Sequence, residues 1–247
     1  MSALLIKGVL RKENSMATKL FGVGVGPGDP ELLTLKALRV INECEVIAIP
    51  TKDIKTSVAY KIVKQVKEDL DDKEMLPVDM PMTKDKEKLN QYHNEAAQKI
   101  IEYLKSGKNV AFLTLGDPTI YSTYIYVHKL VNKAGYETEI ISGITSFCAV
   151  SAKFDMGLVE KAQPLHVIPS SYGIEDALKL PGTKVLMKAG KKLPLVKEAL
   201  KKSGAKGMMI ENCGMPDEKI YNNIDEINEA AGYYSLIIVK DNDKEEE

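Results

Sequence analysis

The sequence has no tryptophan, only three cysteines, and no long uninterrupted apolar run. Cys44, Cys148 and Cys213 are odd in number and far apart, which fits neither a disulfide framework nor a metal knuckle, so we expect reduced thiols. No stretch approaches the roughly 20 apolar residues that span a bilayer, and no signal-peptide pattern is visible. These absences favour a soluble protein of the cytoplasm without a membrane partner.

An excess of charge of one sign is also lacking. Lys and Arg number 34 against 35 Asp and Glu, for a net charge of -1, so the chain has no electrostatic footprint for nucleic acid. His93, His128 and His166 are scattered, and no carboxylate or cysteine near them has the spacing of metal ligands. We therefore expect a small-molecule partner, no nucleic acid and no metal site.

The two ends differ in character from the rest of the chain. Residues 1–19 are charged and pattern-poor and include a second methionine, Met16, so we interpret them as a leader or disordered extension. Residues 241–247 form an acidic tail with three consecutive glutamates, which favours a solvated, disordered end. The folded part is expected over residues 20–240.

Strand and helix patterns alternate from residue 20 onwards. In the first expected helix Leu32, Leu35, Leu38 and Ile41 recur every three positions and predict one buried face. Thr83 is the expected N-cap of a later helix that ends at Gly107, and a further helix is expected over residues 119–134. Short connections between the elements indicate right-handed crossovers and a mostly parallel sheet. Strands are expected at residues 20–25, 45–49, 109–115 and 137–141.

The pattern changes after Gly143. We expect a helix near residues 146–154 and strands near 165–168, 184–188, 208–211 and 235–239. The predicted fold class is therefore α/β, with an N-terminal α/β domain over residues 20–142 and a C-terminal α/β domain over residues 143–240.

Three segments carry features that suit ligand binding. Residues 22–29 are glycine-rich and lie between a strand and a helix, where backbone amides can hold a ligand, although a tight turn explains the glycines equally well. They match neither the G-x-x-x-x-G-K-[ST] nor the G-x-G-x-x-G pattern. Residues 116–118 (GDP) form a second turn after a strand, and residues 143–146 (GITS) place two hydroxyls at a helix start, where they also suit an N-cap. In open α/β sheets ligands bind beyond the carboxyl ends of the strands, so the two turns are expected to frame one site.

Residues 24–37 (GVGPGDPELLTLKA), 116–118 and 143–146 together resemble the tetrapyrrole methylase family, and the resemblance extends over about residues 20–240. Softer cues are residues 79–85 (DMPMTKD), 211–218 (ENCGMPDE) and 234–239 (YSLIIV). They are most similar to family members that methylate carbon 20 of precorrin-2 or cobalt-factor II, which are precursors of cobalamin. Tyr233-Tyr234 stands where phenylalanine is expected, which leaves the methylated position partly open.

The resemblance implies two α/β domains with the active site in the cleft between them, S-adenosyl-L-methionine as methyl donor, a tetrapyrrole substrate and a homodimer. Tyr233 and Tyr234 are the candidates for a catalytic hydrogen bond or proton movement, although an aromatic plug at a strand end is an equally good reading. The resemblance places the following residues in the cofactor site: Pro27, Leu115, Gly116, Asp117, Ile120, Thr145, Ser146, Met187 and, as weaker candidates, Cys213 and Ile238.

The tetrapyrrole is expected to face the glycine-rich loop. Its candidate partners are Gly26, Gly28, Asp29, Met82 and Lys84. Because the substrate carries many carboxylates, basic residues such as Lys84, Lys86 and Lys188 are expected to help to receive it, although an exposed lysine usually belongs to a solvated face.

Other functions stay open at this point. The chain also suits another tetrapyrrole methylase, such as a uroporphyrinogen or other corrin-ring methylase, or diphthine synthase, which methylates a modified histidine on a protein. A cofactor-binding protein without catalysis is the alternative from another class, because no residue is an unmistakable general acid or base.

Overall fold

The computed structural model describes residues 18–81, 83, 85–170 and 174–241. Met82, Lys84 and nearly all of the expected leader and acidic tail lie outside these described residues. The described residues form two sheets of five strands each. Within them no helix is long and apolar enough to cross a membrane.

The first sheet has the strand order β3-β2-β4-β1-β5, and all four strand pairs are parallel. This arrangement confirms the expected α/β class. Its strands are β1 (Lys19–Gly24), β2 (Val46–Ile49), β3 (Glu74–Pro77), β4 (Val110–Thr114) and β5 (Glu137–Ile141).

Helices cover both faces of the first sheet because its central strands are apolar on both sides. Helices α1 (Leu35–Glu43) and α2 (Val58–Val66) pack on the face that carries Ile47 and Leu113. Helices α3 (Lys86–Lys105) and α4 (Tyr124–Lys133) pack on the opposite face, with Ala48 and Phe112. This doubly wound layering leaves the carboxyl ends of the strands free of helices.

The second sheet has the order β6-β7-β10-β8-β9 and is mixed, since only β6 and β7 are parallel. Its strands are β6 (Leu165–Pro169), β7 (Thr183–Met187), β8 (Lys206–Glu211), β9 (Lys219–Tyr221) and β10 (Ser235–Lys240). Helix α5 (Ser146–Lys153) packs on one face and α6 (Leu193–Ser203) on the other. The expected boundary at residues 142–143 thus falls between the last strand of the first sheet and the helix that packs on the second.

Three helix starts differ from the sequence predictions. Helix α1 begins only at Leu35 and buries Ala37, Val40 and Ile41, so Leu35, expected on the buried face, is 86% exposed. The N-cap of α3 is Asp85, whose carboxylate accepts hydrogen bonds from two backbone amides, instead of Thr83. Helix α4 begins at Tyr124 instead of residue 119, because Tyr121 has a φ of 49°, which a right-handed helix excludes.

Candidate active site

The loops that follow β1 and β4 meet directly. Gly116 donates a backbone hydrogen bond to the Gly26 carbonyl at 2.8 Å, and Gly26 donates one to the Gly116 carbonyl at 3.3 Å. The two glycines therefore form an antiparallel bridge beyond the carboxyl ends of adjacent parallel strands. This is the convergence that the sequence predicted for the glycine-rich segment and the GDP turn.

The buried carboxylate of Asp117 connects the GDP turn to the turn before α5. Its Oδ1 accepts hydrogen bonds from the backbone N–H of Thr119 at 2.7 Å and from the Thr119 hydroxyl at 2.5 Å. Its Oδ2 accepts one from the backbone N–H of Gly143 at 2.9 Å. Asp117 thereby holds together the GDP turn and the turn at Gly143 that precedes α5.

Glycine is required where these backbones touch. A Cβ on Gly143 would lie 2.2 Å from the Gly116 carbonyl oxygen, and a Cβ on Gly24 would lie 2.6 Å from the Gly143 nitrogen. Gly116 differs, because its φ is 70° and a Cβ there would meet only the Ile144 carbonyl, at 3.9 Å. Gly24 and Gly143 therefore serve backbone packing, while Gly116 borders open space.

The glycine-rich loop also abuts the second sheet. A Cβ on Gly28 would lie 2.1 Å from the Cys213 carbonyl oxygen, and a Cβ on Gly214 would lie 2.4 Å from the Asp29 nitrogen. The Asp29 carboxylate accepts a hydrogen bond from the Glu31 backbone N–H at 2.9 Å and caps a short 3-10 turn. Gly28 and Asp29, predicted to contact substrate, thus have structural partners here.

A cavity of about 490 Å³ lies between the two sheets at these loops. That volume is in the range of small-molecule sites. The wall includes ten residues that the sequence singled out: Pro27, Leu115, Gly116, Ile120, Ser146, Met187, Lys188, Cys213, Tyr233 and Tyr234.

Other predicted residues lie behind this wall. Ile238 is fully buried in the core with Cys213, and Asp117 supports the turns that shape the cavity. Thr145 is the N-cap residue of α5, but its hydroxyl caps no backbone amide. Gly26 is engaged in the bridge to Gly116. Met82 and Lys84 lie outside the described residues, so their predicted contacts with substrate stay predictions.

Twelve further wall residues were not assigned to the site from the sequence, although Met80, Met215, Ser235 and Leu236 lie in the motifs that carry the resemblance. Several of them lie at or just beyond the carboxyl ends of β2 and β4, so the rule that ligands bind there was the available signal. The twelve residues are Pro50, Met80, Phe112, Thr114, Tyr121, Ser122, Thr123, Val150, Ile210, Met215, Ser235 and Leu236.

The wall is mainly apolar, with a few polar groups whose partners are incomplete. The buried hydroxyl oxygen of Thr114, which belongs to the wall, forms no hydrogen bond within the described part of the chain. A buried polar group without a partner costs about 1–3 kcal/mol. A ligand with both apolar surface and hydrogen-bonding groups fits this wall, and S-adenosyl-L-methionine, with its adenine, ribose and amino-acid parts, is such a ligand.

Tyr233 and Tyr234 border the cavity side by side, with ring centroids 5.5 Å apart and ring planes at 80°. They are 39% and 43% exposed, and partial burial raises the pKa of both phenols. Both side chains therefore stay protonated at neutral pH and are hydrogen-bond donors instead of bases. Burial also raises the pKa of the Cys213 thiol to about 11, so this cysteine is neutral and unreactive.

Curated relatives match almost the whole chain. A protein from Methanocaldococcus jannaschii named "Probable cobalt-precorrin-2 C(20)-methyltransferase" is 38% identical over 234 residues, which is 92% of this chain and 98% of the relative. A precorrin-2 C(20)-methyltransferase from Sinorhizobium is 31% identical over 236 residues, which is 90% of this chain and 94% of that protein.

Solved structures share the two-domain fold. A cobalt precorrin-4 methyltransferase superposes with a TM-score of 0.73 at 20% identity, covering 94% of this chain and 98% of that one. A uroporphyrin-III C-methyltransferase from Thermus thermophilus, complexed with S-adenosylhomocysteine, superposes with a TM-score of 0.65 at 19% identity, covering 90% and 97%. The family model for tetrapyrrole (corrin/porphyrin) methylases matches residues 19–228, which include both sheets up to β9. The chain therefore belongs to the tetrapyrrole methylase family.

Proposed function

We propose that this protein transfers a methyl group from S-adenosyl-L-methionine to carbon 20 of precorrin-2 or of its cobalt-containing form, in the biosynthesis of cobalamin. The observation that carries the proposal is the end-to-end similarity to proteins named for methylation at this carbon. The cavity between the sheets, framed by the joined loops after β1 and β4, supplies a fitting place for the reaction.

The methyl donor would occupy the part of the cavity next to the GDP turn. Gly116 leaves open space there, and the Thr114 hydroxyl, which has no partner within the described residues, lies in the same part of the wall. Pro27 and Met187 contribute apolar wall from the two domains. When bound, S-adenosyl-L-methionine supplies a methyl group that its sulfonium has already activated for attack by a nucleophilic carbon.

The chain's own contribution is then mainly orientation and exclusion of water. Of the described residues in the cavity wall, none is an aspartate, glutamate or histidine, so no obvious general base is at hand. Asp117 acts indirectly, because its hydrogen bonds set the shape of both turns. Tyr233 and Tyr234 are placed to donate hydrogen bonds to the macrocycle.

The test is incubation with isotopically labelled methyl donor and, separately, with precorrin-2 and its cobalt form, followed by NMR location of the label. We expect one labelled methyl at carbon 20, and the better of the two substrates identifies the metal state. Label at another ring carbon would assign the chain to another tetrapyrrole methylase. Label on a protein substrate would favour diphthine synthase, and binding of the donor without any transfer would indicate a non-catalytic protein.

The resemblance extends to three further properties. We propose that the chain forms a homodimer, that it works in the cytoplasm, and that its two domains divide at residues 142–143. Size-exclusion chromatography with light scattering tests the first property, because a particle of one chain's mass, 27.3 kDa, would contradict it.

A further inference from the structure

Lys188 places a charged group in the wall of the cavity. Of the described residues that line the wall, it is the one with a charged side chain. It follows directly after β7, is half-buried, and has a φ of 58°. The fold therefore directs one ammonium group into a mainly apolar cavity.

The ammonium of Lys188 has no carboxylate partner within the described part of the chain. Its Nζ donates a hydrogen bond to the backbone carbonyl of Tyr121 at 2.8 Å and lies 5.6 Å from the centroid of the Tyr121 ring. Burial lowers the pKa of the ammonium. A partly desolvated cation is costly unless an anion compensates it, and a neutral carbonyl compensates only in part.

Tyr121 is itself held between the two domains. It belongs to the loop after β4, yet its hydroxyl donates a hydrogen bond to the Val167 carbonyl of β6 at 2.8 Å. Together with the bond from Lys188 to Tyr121, this contact joins the domains across the cavity. The carbonyl that accepts from the ammonium thus belongs to a residue that β6 holds in place.

We propose that Lys188 is the carboxylate-binding residue of the cavity, and that its ammonium exchanges the Tyr121 carbonyl for a carboxylate of a bound ligand. The inference rests on the proposed function, in which both ligands carry this group: the methyl donor in its amino-acid part and the macrocycle on its acidic side chains. The present acceptor is a neutral carbonyl, whereas a carboxylate adds the attraction between opposite charges, so the exchange favours binding.

The test compares Lys188→Gln, Lys188→Met and Lys188→Arg with Lys191→Gln, which removes the same charge from an exposed lysine three residues further on. Glutamine retains a donor for the Tyr121 carbonyl, and methionine is a second neutral variant if the first does not fold. Calorimetry measures the Kd of S-adenosylhomocysteine, and steady-state kinetics measure the KM of the tetrapyrrole. Thermal midpoints show whether each variant is folded.

If the carboxylate belongs to the methyl donor, the neutral variants raise the Kd of S-adenosylhomocysteine about tenfold. If it belongs to the macrocycle, that Kd is unchanged and the KM of the tetrapyrrole rises by a similar factor. In either case Lys188→Arg restores most of the loss and Lys191→Gln behaves as the wild type. The proposal is overturned if Kd and KM both stay within twofold of wild type, or if arginine does not rescue. A wild-type protein that neither binds S-adenosylhomocysteine nor transfers methyl groups would instead overturn the proposed function.

Discussion

Replacement of Asp117 by asparagine tests how the two turns at the cavity are held together. The change keeps the size of the side chain and leaves one oxygen to accept from Thr119. The new amide group then faces the Gly143 N–H, which now bonds to Oδ2 at 2.9 Å. Two donors would oppose each other at this point, so the Gly143 turn loses its anchor.

The size of the effect follows from this one lost bond. An unsatisfied buried N–H costs about 1–3 kcal/mol in the free energy of unfolding. For a chain of this length each kcal/mol lowers the thermal midpoint by about 2–4 °C, so a fall of about 2–12 °C is expected. If about 1 kcal/mol of the loss falls on ligand binding, the Kd of S-adenosylhomocysteine rises about fivefold.

Differential scanning calorimetry measures the midpoint, and isothermal titration measures the Kd. Asp72→Asn is the matched control, since Asp72 is exposed and far from the cavity wall. Asp117→Ala removes all three hydrogen bonds and should be worse than Asp117→Asn in both assays. Wild-type melting and wild-type affinity in Asp117→Asn would refute the role given to this carboxylate.

Three further substitutions separate packing from ligand contact and from catalysis. Gly143→Ala places a Cβ 2.2 Å from a carbonyl oxygen and should lower the free energy of unfolding in urea by about 3 kcal/mol. Gly157→Ala is the control, because its Cβ meets nothing closer than 3.7 Å and the variant should unfold as the wild type does. Equal stability of the two variants would contradict the close packing at Gly143. Gly116→Ala should lower the free energy of unfolding by about 1–2 kcal/mol because of the positive φ at this position. The added methyl group lies beside the open space, so calorimetry should show weaker binding of S-adenosylhomocysteine. An unaltered Kd would mean that the ligand binds elsewhere. Tyr234→Phe should slow methyl transfer and leave the Kd of S-adenosylhomocysteine unchanged. The same measurements on Tyr233→Phe show which of the two phenols contributes to the rate. Unchanged kcat and KM in both variants would exclude a catalytic role for these tyrosines.

The parallel sheet was predictable because its central strands are continuous apolar runs that alternate with amphipathic helices. Strand β5 has the predicted bounds, and β4 differs by one residue at each end. Strands β3 and β9 were missed because both are short edge strands with exposed residues, so no apolar pattern marks them. The antiparallel pairing in the second sheet was also hidden, since a strand buried on both faces carries no sign of its direction.

The site was predictable where it depends on backbone chemistry. The glycines and the aspartate of the two turns stand out in the sequence because few other residues suit such turns. Phe112 and Ile210 were not recognised, because an apolar side chain in a cavity wall has the same local signature as one in a core. The position of Tyr121 was hidden as well, since its hydrogen-bond partners, Lys188 and Val167, belong to the other domain and are distant in the sequence.

The main-chain contact between Gly28 and Gly214 limits how this enzyme can diverge. No side chain separates the two loops there, so even one added methyl group on either residue would force the sheets apart. New preferences among macrocycles are therefore expected at other positions around the cavity, such as Met80 or Met187, which take no part in this contact between the loops. Attempts to redesign the regiochemistry should begin at those positions and leave the glycines alone.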